Sequence, residues 1–205
     1  MKEEKNRTGW NAITDTFLKL YPGQTEPIHF ASLLSYSLGG EPLDGISVYD
    51  GGDYYHFVSY GLSELYEKEF EDMEYSGYGF EFTMKLKKSS LKNVENELKC
   101  VCGIFQALAG EAFSSGSVFQ PYEYIYTGQT QGMDSEGASN ITGFVTVPDE
   151  AGEIETPNGK VQFVQLVGMT NAEFELIFQE QKTIQELVAQ LGHTMTDYQR
   201  ESLVE

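Results

Sequence analysis

The stretch that decides the fold is Phe80-Glu81-Phe82-Thr83-Met84-Lys85-Leu86-Lys87. Apolar and polar residues alternate through all eight positions. Successive side chains of a β-strand point to opposite faces, so this period of two predicts a strand. Its apolar side chains should face a core, and Glu81, Thr83, Lys85 and Lys87 should face solvent.

Shorter strand signals lie on both sides of this stretch. Residues 46–50 and 56–60 predict two strands joined by the turn-rich Gly51-Gly52-Asp53. Residues 122–126, 141–147 and 161–167 predict three more. Between the last two, residues 149–159 contain Pro157-Asn158-Gly159 and are expected to form a hairpin loop.

Helical periodicity marks three further segments. The apolar residues Trp10, Ile13, Phe17 and Leu20 predict a helix that ends at Pro22-Gly23. Residues 98–113 predict a second, strongly amphipathic helix. A third should open at Thr170, which has the capping-box partner Glu173 three residues on, and run to Leu191 before Gly192.

The segment between Pro27 and Gly45 stays open, because Leu33, Leu34 and Leu38 suit either a helix or a strand that ends at Gly39-Gly40. With helices at both ends and in the middle and strands grouped between them, the sequence predicts an α+β fold. We expect a mixed, largely antiparallel sheet packed with three or more helices, in one domain spanning residues 1–205.

The charge of the chain restricts the class of partner. Thirteen basic and 32 acidic residues give a formal net charge of -19. Nucleic-acid binding needs clustered Lys and Arg, so this charge argues against it and favours a basic protein partner. The charged N-terminus and the absence of a long apolar run indicate no secretory signal and no membrane segment, so we expect a cytoplasmic monomer or weak homodimer.

Catalytic, cofactor and metal motifs are missing from the sequence. His29, His56 and His193 have no metal-ligand spacing, and Cys100-x-Cys102 lacks a second cysteine pair. Gly77 and Gly79 lead into a strand, which favours turn geometry over nucleotide binding. We therefore expect a protein that is not an enzyme. The enzymatic alternative needs His56, Tyr60 and Glu64 to meet within hydrogen-bond reach.

An acidic run between Glu64 and Glu74 is the strongest candidate for a binding surface. Such runs are usually solvated faces, but complementary charge can also guide a basic partner. Leu65 and Phe70 within the run are expected to belong to the core. The candidate protein-binding residues combine acids with aromatics here and just upstream, and are Tyr49, Asp50, Asp53, His56, Tyr60, Glu64, Glu67 and Glu71.

Several stretches, in order, resemble the Suppressor-of-fused family. They include Leu38-Gly39-Gly40 with Pro42-Leu43-Asp44, Ile46-Ser47-Val48-Tyr49, and His56-Phe57-Val58-Ser59-Tyr60-Gly61-Leu62-Ser63-Glu64-Leu65-Tyr66. Ser76-Gly77-Tyr78-Gly79-Phe80-Glu81-Phe82-Thr83, Thr156-Pro157-Asn158-Gly159, Gln165-Leu166-Val167-Gly168, and Thr196-Asp197 with Arg200 follow.

This resemblance implies a Sufu-like domain that binds protein. Animal members of the family sequester zinc-finger transcription factors between two domains, and this chain resembles only the N-terminal one. Many single-domain bacterial members resemble immunity proteins that neutralise toxins, often nucleases.

Two binding hypotheses follow. The first is an immunity or antitoxin protein that neutralises a basic, nuclease-type toxin, which the acidity of the chain favours. The alternative is a regulatory scaffold that binds an endogenous protein or peptide, for instance by adding a strand to a sheet edge.

Overall fold

The computed structural model describes residues 6–34 and 39–204. Within them the strands are grouped between helices. The elements are α1 (Thr8–Leu20), β1 (Ile28–Ala31), β2 (Gly45–Asp50), β3 (Tyr54–Tyr60), β4 (Tyr75–Lys87), α2 (Val94–Ser115), β5 (Tyr124–Ile125), β6 (Ile141–Thr156), β7 (Gly159–Thr170), α3 (Asn171–Phe178) and α4 (Ile184–Leu191).

The strands of the described residues form one seven-stranded sheet in the order β1-β2-β3-β4-β7-β6-β5. Five neighbouring pairs are antiparallel, and the central pair β4–β7 is parallel. The parallel pair arises because the chain leaves β4 through α2, adds the outer strands β5 and β6, and returns along β4 as β7. The predicted α+β class with a mixed, largely antiparallel sheet is confirmed. The single domain over residues 1–205 stays a prediction.

Helices cover both faces of this sheet. On one face, α2 packs its apolar stripe, including Val101 and Phe105, against strand residues such as Phe57 and Phe82. On the opposite face, α1 packs against Val58 and its neighbours. The helices α3 and α4 cover the outer part of that second face, against β6 and β7.

The prediction that the polar face of β4 is exposed to solvent is therefore wrong. Glu81 and Thr83 are fully buried and Lys85 is 8% exposed, because α1 and its neighbours cover the side that was predicted to be wet. Each polar group has a partner there, as burial requires. The Glu81 carboxylate accepts hydrogen bonds from the Gly61 amide at 3.0 Å and from the amide and hydroxyl of Ser63.

The hairpin before β7 is also tighter than predicted. The strand β6 runs on to Thr156, so the expected loop over residues 149–159 is wrong, and the turn is confined to Pro157 and Asn158 between paired Thr156 and Gly159. The loop-like composition of residues 149–152 belongs instead to a bulge in β6, where the pairing with β7 shifts register.

The predicted third helix is two helices. The capping box of Thr170 and Glu173 is confirmed, with both reciprocal bonds present, but α3 ends at Phe178. Glu180 has a left-handed φ of 55°, which a continuous helix does not allow. Thr183 then caps α4 through a second capping box with Glu186.

The open segment between Pro27 and Gly45 contributes the edge strand β1. Leu33 and Leu34 follow it and are exposed, at 99% and 55% of their surface. Leu38 lies outside the described residues. The strand ends at Ala31, before Leu33 and Leu34, so neither the helix nor the strand that these leucines suggested is present at residues 33–34.

One buried ion pair joins the C-terminal segment to the sheet. The Arg200 guanidinium lies 2.5 Å from the carboxylate of Glu173, which is fully buried, and also donates to the Gly168 carbonyl at 2.9 Å. Burial alone would raise the pKa of Glu173, but the hydrogen bonds from Arg200 and from the amides of Leu203 and Thr170 outweigh it and lower the pKa.

Removing Arg200 should therefore destabilise the fold strongly. Arg200→Ala leaves Glu173 as an unpaired buried charge, and we expect the free energy of unfolding to fall by about 3–5 kcal/mol. The matched control is Lys99→Ala, which breaks the exposed, solvent-screened pair with Glu95 and should leave the free energy of unfolding nearly unchanged. Urea unfolding checks both variants. Equal losses of unfolding free energy in the two variants would contradict a stabilising role for the buried Arg200–Glu173 pair.

Glu81 should make stability depend on pH. Burial raises the pKa of Glu81 to about 6, above the ordinary 4.5, so the folded state holds the proton more tightly than the unfolded chain. Its stabilising effect is complete below pH 4.5 and lost as pH rises through 6. From pH 5 to pH 7 the unfolding free energy of the native protein should fall by about 1 kcal/mol relative to Glu81→Gln. Parallel pH curves for the two proteins in urea unfolding would contradict this.

Candidate functional site

Exposed aromatic side chains line a groove where β4 begins. Phe70 is 48% exposed, Tyr75 is 42% exposed and Val118, just after α2, is 44% exposed. Together with Tyr78 and the neighbouring Gln162 they enclose a cavity of about 630 Å³. We call this cavity the β4 groove.

The groove lies where the sheet loses its regular pairing. From Tyr75 to Phe80, β4 advances five positions while β7 advances only two, from Lys160 to Gln162. The strand β6 is bulged against the same part of β7. Extra residues in both neighbours widen the sheet around Gln162, as bulges do next to functional sites.

Two glycines make the bulge of β4 possible. Gly77 and Gly79 have φ of 58° and 78°, which only glycine adopts without strain. A Cβ at Gly77 would stand 2.8 Å from the Leu62 carbonyl oxygen, so no larger residue fits. The expectation of turn geometry for these glycines is confirmed.

Glu64 holds the loop that carries Phe70. Its carboxylate accepts hydrogen bonds from the backbone amides of Glu69, Phe70 and Gly77 and from the Lys68 ammonium, the last at 2.9 Å. Burial alone would raise the pKa of Glu64, but the hydrogen bonds from Phe70 and Lys68 outweigh it and lower the pKa. Glu64 therefore fixes the loop that places Phe70 at the groove.

The β6–β7 turn braces the same loop from the other side. The Asn158 side-chain amide donates to the carbonyls of Glu64 at 2.7 Å and Tyr66 at 3.3 Å. The Ser76 hydroxyl accepts from the Glu64 amide at 2.9 Å. Three separate parts of the chain thus fix the loop, so the groove is preorganised.

Two acidic side chains, Asp72 and Glu153, line the β4 groove. Glu74 pairs with Lys160 at 3.2 Å and raises the pKa of that lysine. No Lys or Arg of the described residues lines the groove itself.

The structure separates the sequence-predicted binding residues. Tyr49, His56 and Tyr60 are 0%, 0% and 1% exposed beneath α1, so they face the core and not a partner. Their burial contradicts the expectation that they form part of a protein-binding surface, and the reason is again that α1 covers the second face of the sheet. Glu64 is buried too, at 9% exposure.

The other four predicted residues are exposed but do not form one surface. Asp50 and Asp53 lie at the β2–β3 turn, whereas Glu67 and Glu71 lie in the β3–β4 loop. The seven residues of β3 separate the two pairs by roughly 20 Å. Only Glu67 and Glu71 belong to the loop that carries the groove, and their role in binding stays a prediction.

The residues named for the enzymatic alternative do not meet. His56 is bonded through Nδ1 to the Tyr21 hydroxyl at 2.6 Å and through Nε2 to Asp149 at 2.9 Å. The Tyr60 hydroxyl instead contacts Thr14 at 3.2 Å. His56 is thus part of a buried hydrogen-bonded network under α1 that solvent does not reach.

Sequence reasoning assigned one aromatic side chain of the groove to the wrong environment. Phe70 was expected in the core, but the bond from its amide to Glu64 holds it in an exposed loop, so that expectation is wrong, whereas Leu65 is buried as expected. Tyr78 carries the one usable signal in the sequence, since it stands between two glycines that mark an irregular strand.

Among residues 6–34 and 39–204, no three His, Cys, Asp or Glu side chains are placed to hold a metal ion. None of the helices in those ranges has the length and apolar character needed to span a bilayer.

Comparison with known sequences identifies a family. Residues 39–201 match the model of the Suppressor of fused protein. The human and mouse proteins named Suppressor of fused homolog are each 28% identical over 179 residues, which covers 80% of this chain and 36% of each relative. The chain thus spans about a third of the length of these relatives.

Solved structures agree with this assignment. The Sufu–Fu complex contains a chain with a TM-score of 0.81 and 27% identity, covering 96% of this chain and 92% of that one. Drosophila Suppressor of Fused gives a TM-score of 0.78 at 27% identity, covering 98% of this chain and 53% of that one. The matches confirm the resemblance seen in the sequence and support a protein-binding domain. This chain belongs to the Suppressor of fused family.

Proposed function

We propose that this chain is a regulatory protein-binding domain that docks a segment of an endogenous partner protein in the β4 groove. The observation that carries the proposal is the set of exposed apolar side chains, Phe70, Tyr75 and Val118, gathered around one preorganised cavity. Aromatic anchors in such settings supply most of the binding energy of protein interfaces.

Rigidity supports this assignment. Ordering a loop during association costs free energy, and a loop that is already ordered avoids that cost. The bonds from Glu64 and Asn158 hold the groove in one shape before a partner arrives. A preformed aromatic groove favours recognition of a short segment over a broad flat contact.

Charge indicates the chemistry of that segment. With Asp72 and Glu153 in the groove lining and a net charge of -19, a partner segment with Lys or Arg flanking an apolar or aromatic residue fits best. The acids should speed association and select against acidic partners, while the aromatic side chains supply affinity. One similar structure is a complex of Sufu with Fu, so a relative of this domain occurs in a protein complex.

A second candidate is an immunity protein that neutralises a basic toxin. The net charge of -19 favours it, because an acidic domain can cover the basic face of a nuclease. Both candidates use a basic partner, but they differ in its identity. Inhibition of a toxin by one equivalent of this protein would favour the immunity function over the regulatory one.

Site-specific crosslinking tests the groove. We would place a photoreactive phenylalanine at position 70 in tagged protein produced in the native cell, with position 178 as the control. Phe178 is also aromatic and 40% exposed, but it lies on α3. A partner that uses the groove should crosslink from position 70 and not from position 178.

Mutation then measures the contribution of the groove. Phe70→Ala combined with Tyr75→Ala should weaken binding of the purified partner that crosslinking identifies by at least about tenfold, because the variant removes two aromatic anchors. Phe178→Ala should change the dissociation constant by less than about twofold. Calorimetry provides the constants. Unchanged affinity of the double variant would refute the proposed site.

Glu64 should control the order of the loop even without a partner. Glu64→Ala leaves three backbone amides without their acceptor, so hydrogen exchange at Phe70 and Gly77 should accelerate by at least about tenfold. Glu67→Ala removes an exposed carboxylate of the same loop and should leave these rates unchanged. NMR exchange measurements check both, and equal rates in the two variants would contradict the role of Glu64.

A further inference from the structure

The β3–β4 loop connects the two faces of the sheet. Near its start, Leu65 is buried in the cluster beneath α1. Farther along, the rings of Phe70 and Tyr78 lie 5.9 Å apart, and Tyr78 packs against Phe113 of α2. The loop that carries the β4 groove therefore begins in contact with a helix on the opposite face of the sheet.

The first turn of α1 takes a hydrogen-bond partner from this loop. The opening amides of a helix have no acceptor within the helix, and a capping side chain usually supplies one. Helices α2, α3 and α4 each begin with such a side chain. The N-cap of α1 is Arg7, whose side chain makes no bond of this kind, and the Trp10 amide instead donates to the Leu65 carbonyl at 3.1 Å. A carbonyl of the β3–β4 loop thus helps to cap α1.

Gly9 permits this close contact between helix and loop. It is buried in α1, and a Cβ at its position would overlap the Glu64 carbonyl oxygen and stand 3.0 Å from the Leu65 Cα atom. Glycine is the residue used where two backbones approach this closely. Because both of these loop atoms belong to the backbone, no change of rotamer relieves the overlap. A side chain at position 9 must displace either α1 or the loop.

Side chains add to the same contact. The Thr8 hydroxyl lies 3.5 Å from the Tyr66 carbonyl oxygen, and the Arg7 guanidinium donates to the Tyr66 side chain. The Asn158 amide holds the carbonyls of residues 64 and 66 from the other side. All three consecutive carbonyls of residues 64–66 therefore have partners. We call the first turn of α1, from Thr8 to Trp10, together with residues 64–66 the α1 clamp.

The α1 clamp continues directly into the bonds that shape the β4 groove. The backbone of Glu64 belongs to the clamp, while its carboxylate accepts from the amides of Phe70 at 2.7 Å and Gly77 at 3.0 Å. A shift of the Glu64 backbone moves this carboxylate relative to both amides. Hydrogen bonds weaken steeply as their distance and angle depart from the optimum. A displacement at Gly9 therefore reaches Phe70 through a single residue.

We propose that Gly9 is a positioning residue of the β4 groove. The first turn of α1 holds the Glu64 backbone where the carboxylate of that residue can order Phe70 and Gly77. This inference rests on the proposed function, because it concerns the shape of the groove that docks the partner. Its consequence is that a change on the α1 face of the sheet controls binding at the rim of the α2 face, through a continuous set of contacts.

Two helical glycines give a matched pair of variants. Gly9→Ala adds a methyl group that meets the loop, whereas Gly103→Ala adds the same group to α2, where it meets only open space. Both changes raise the intrinsic helix propensity by the same amount. In the protein without a partner, NMR hydrogen exchange at Phe70 and Gly77 should accelerate by at least about fivefold in Gly9→Ala and stay unchanged in Gly103→Ala.

A second pair of variants separates local release of the loop from a general loss of stability. Leu65→Ala shortens a buried side chain of the α1 clamp, and Leu187→Ala shortens a buried side chain of α4. Leu65→Ala should accelerate exchange at Phe70 and Gly77 by at least about threefold, whereas Leu187→Ala should leave both rates unchanged. This pair carries the test if Gly9→Ala does not fold.

Affinity then connects the α1 clamp to the proposed function. Gly9→Ala should weaken binding of the partner that crosslinking identifies by at least about fivefold, compared with less than about twofold for Gly103→Ala. Faster exchange with unchanged affinity would support the clamp and count against the β4 groove as the docking site. The inference is overturned if Phe70 and Gly77 exchange equally fast in the two glycine variants, or if Gly9→Ala accelerates exchange to the same extent throughout β7.

Discussion

Burial of β4 on both faces from Phe80 to Leu86 is the constraint on which the rest of this structure depends. Because helices cover both sides of the sheet there, every polar side chain of this part of the strand needs an internal partner. Glu81 finds its partners in the Gly61–Ser63 turn at the end of β3, and Glu64 directly follows that turn. Glu64 in turn holds the amides of Phe70 and Gly77. Hydrogen bonds therefore hold the turn before Glu64 to the centre of the sheet, and those of Glu64 hold the rim of the β4 groove to that turn.

The same constraint explains where sequence reasoning about the fold succeeded and where it failed. Local patterns correctly predicted six of the seven described strands, the amphipathic helix α2 and the capping box at Thr170, because these depend on nearby residues. The outward face of β4 was predicted wrongly because alternation in sequence does not reveal a second layer of helices. The break after Phe178 did have a local signal, since Thr183 and Glu186 repeat the capping-box spacing.

The candidate site was predictable only in part. The role of the acidic loop after β3 in binding stays a prediction, whereas Tyr49, His56 and Tyr60 lie buried beneath α1. Their neighbouring acids suggested a binding surface, whereas their rings pack against Phe17 and Trp10 of the helix. The prediction for Phe70 was wrong in the opposite direction. An aromatic residue suggests a core position, whereas the hydrogen bond between the Phe70 amide and Glu64 holds this residue at the surface.

The most direct test of the central claim is hydrogen exchange of the protein with and without its bound partner, read by mass spectrometry. We expect new protection in residues 66–80 and 116–120, which carry the β4 groove, and unchanged exchange in α3 and α4. Protection confined to α3, α4 or the edge strand β1 would contradict the account and place the protein-binding surface elsewhere on the sheet.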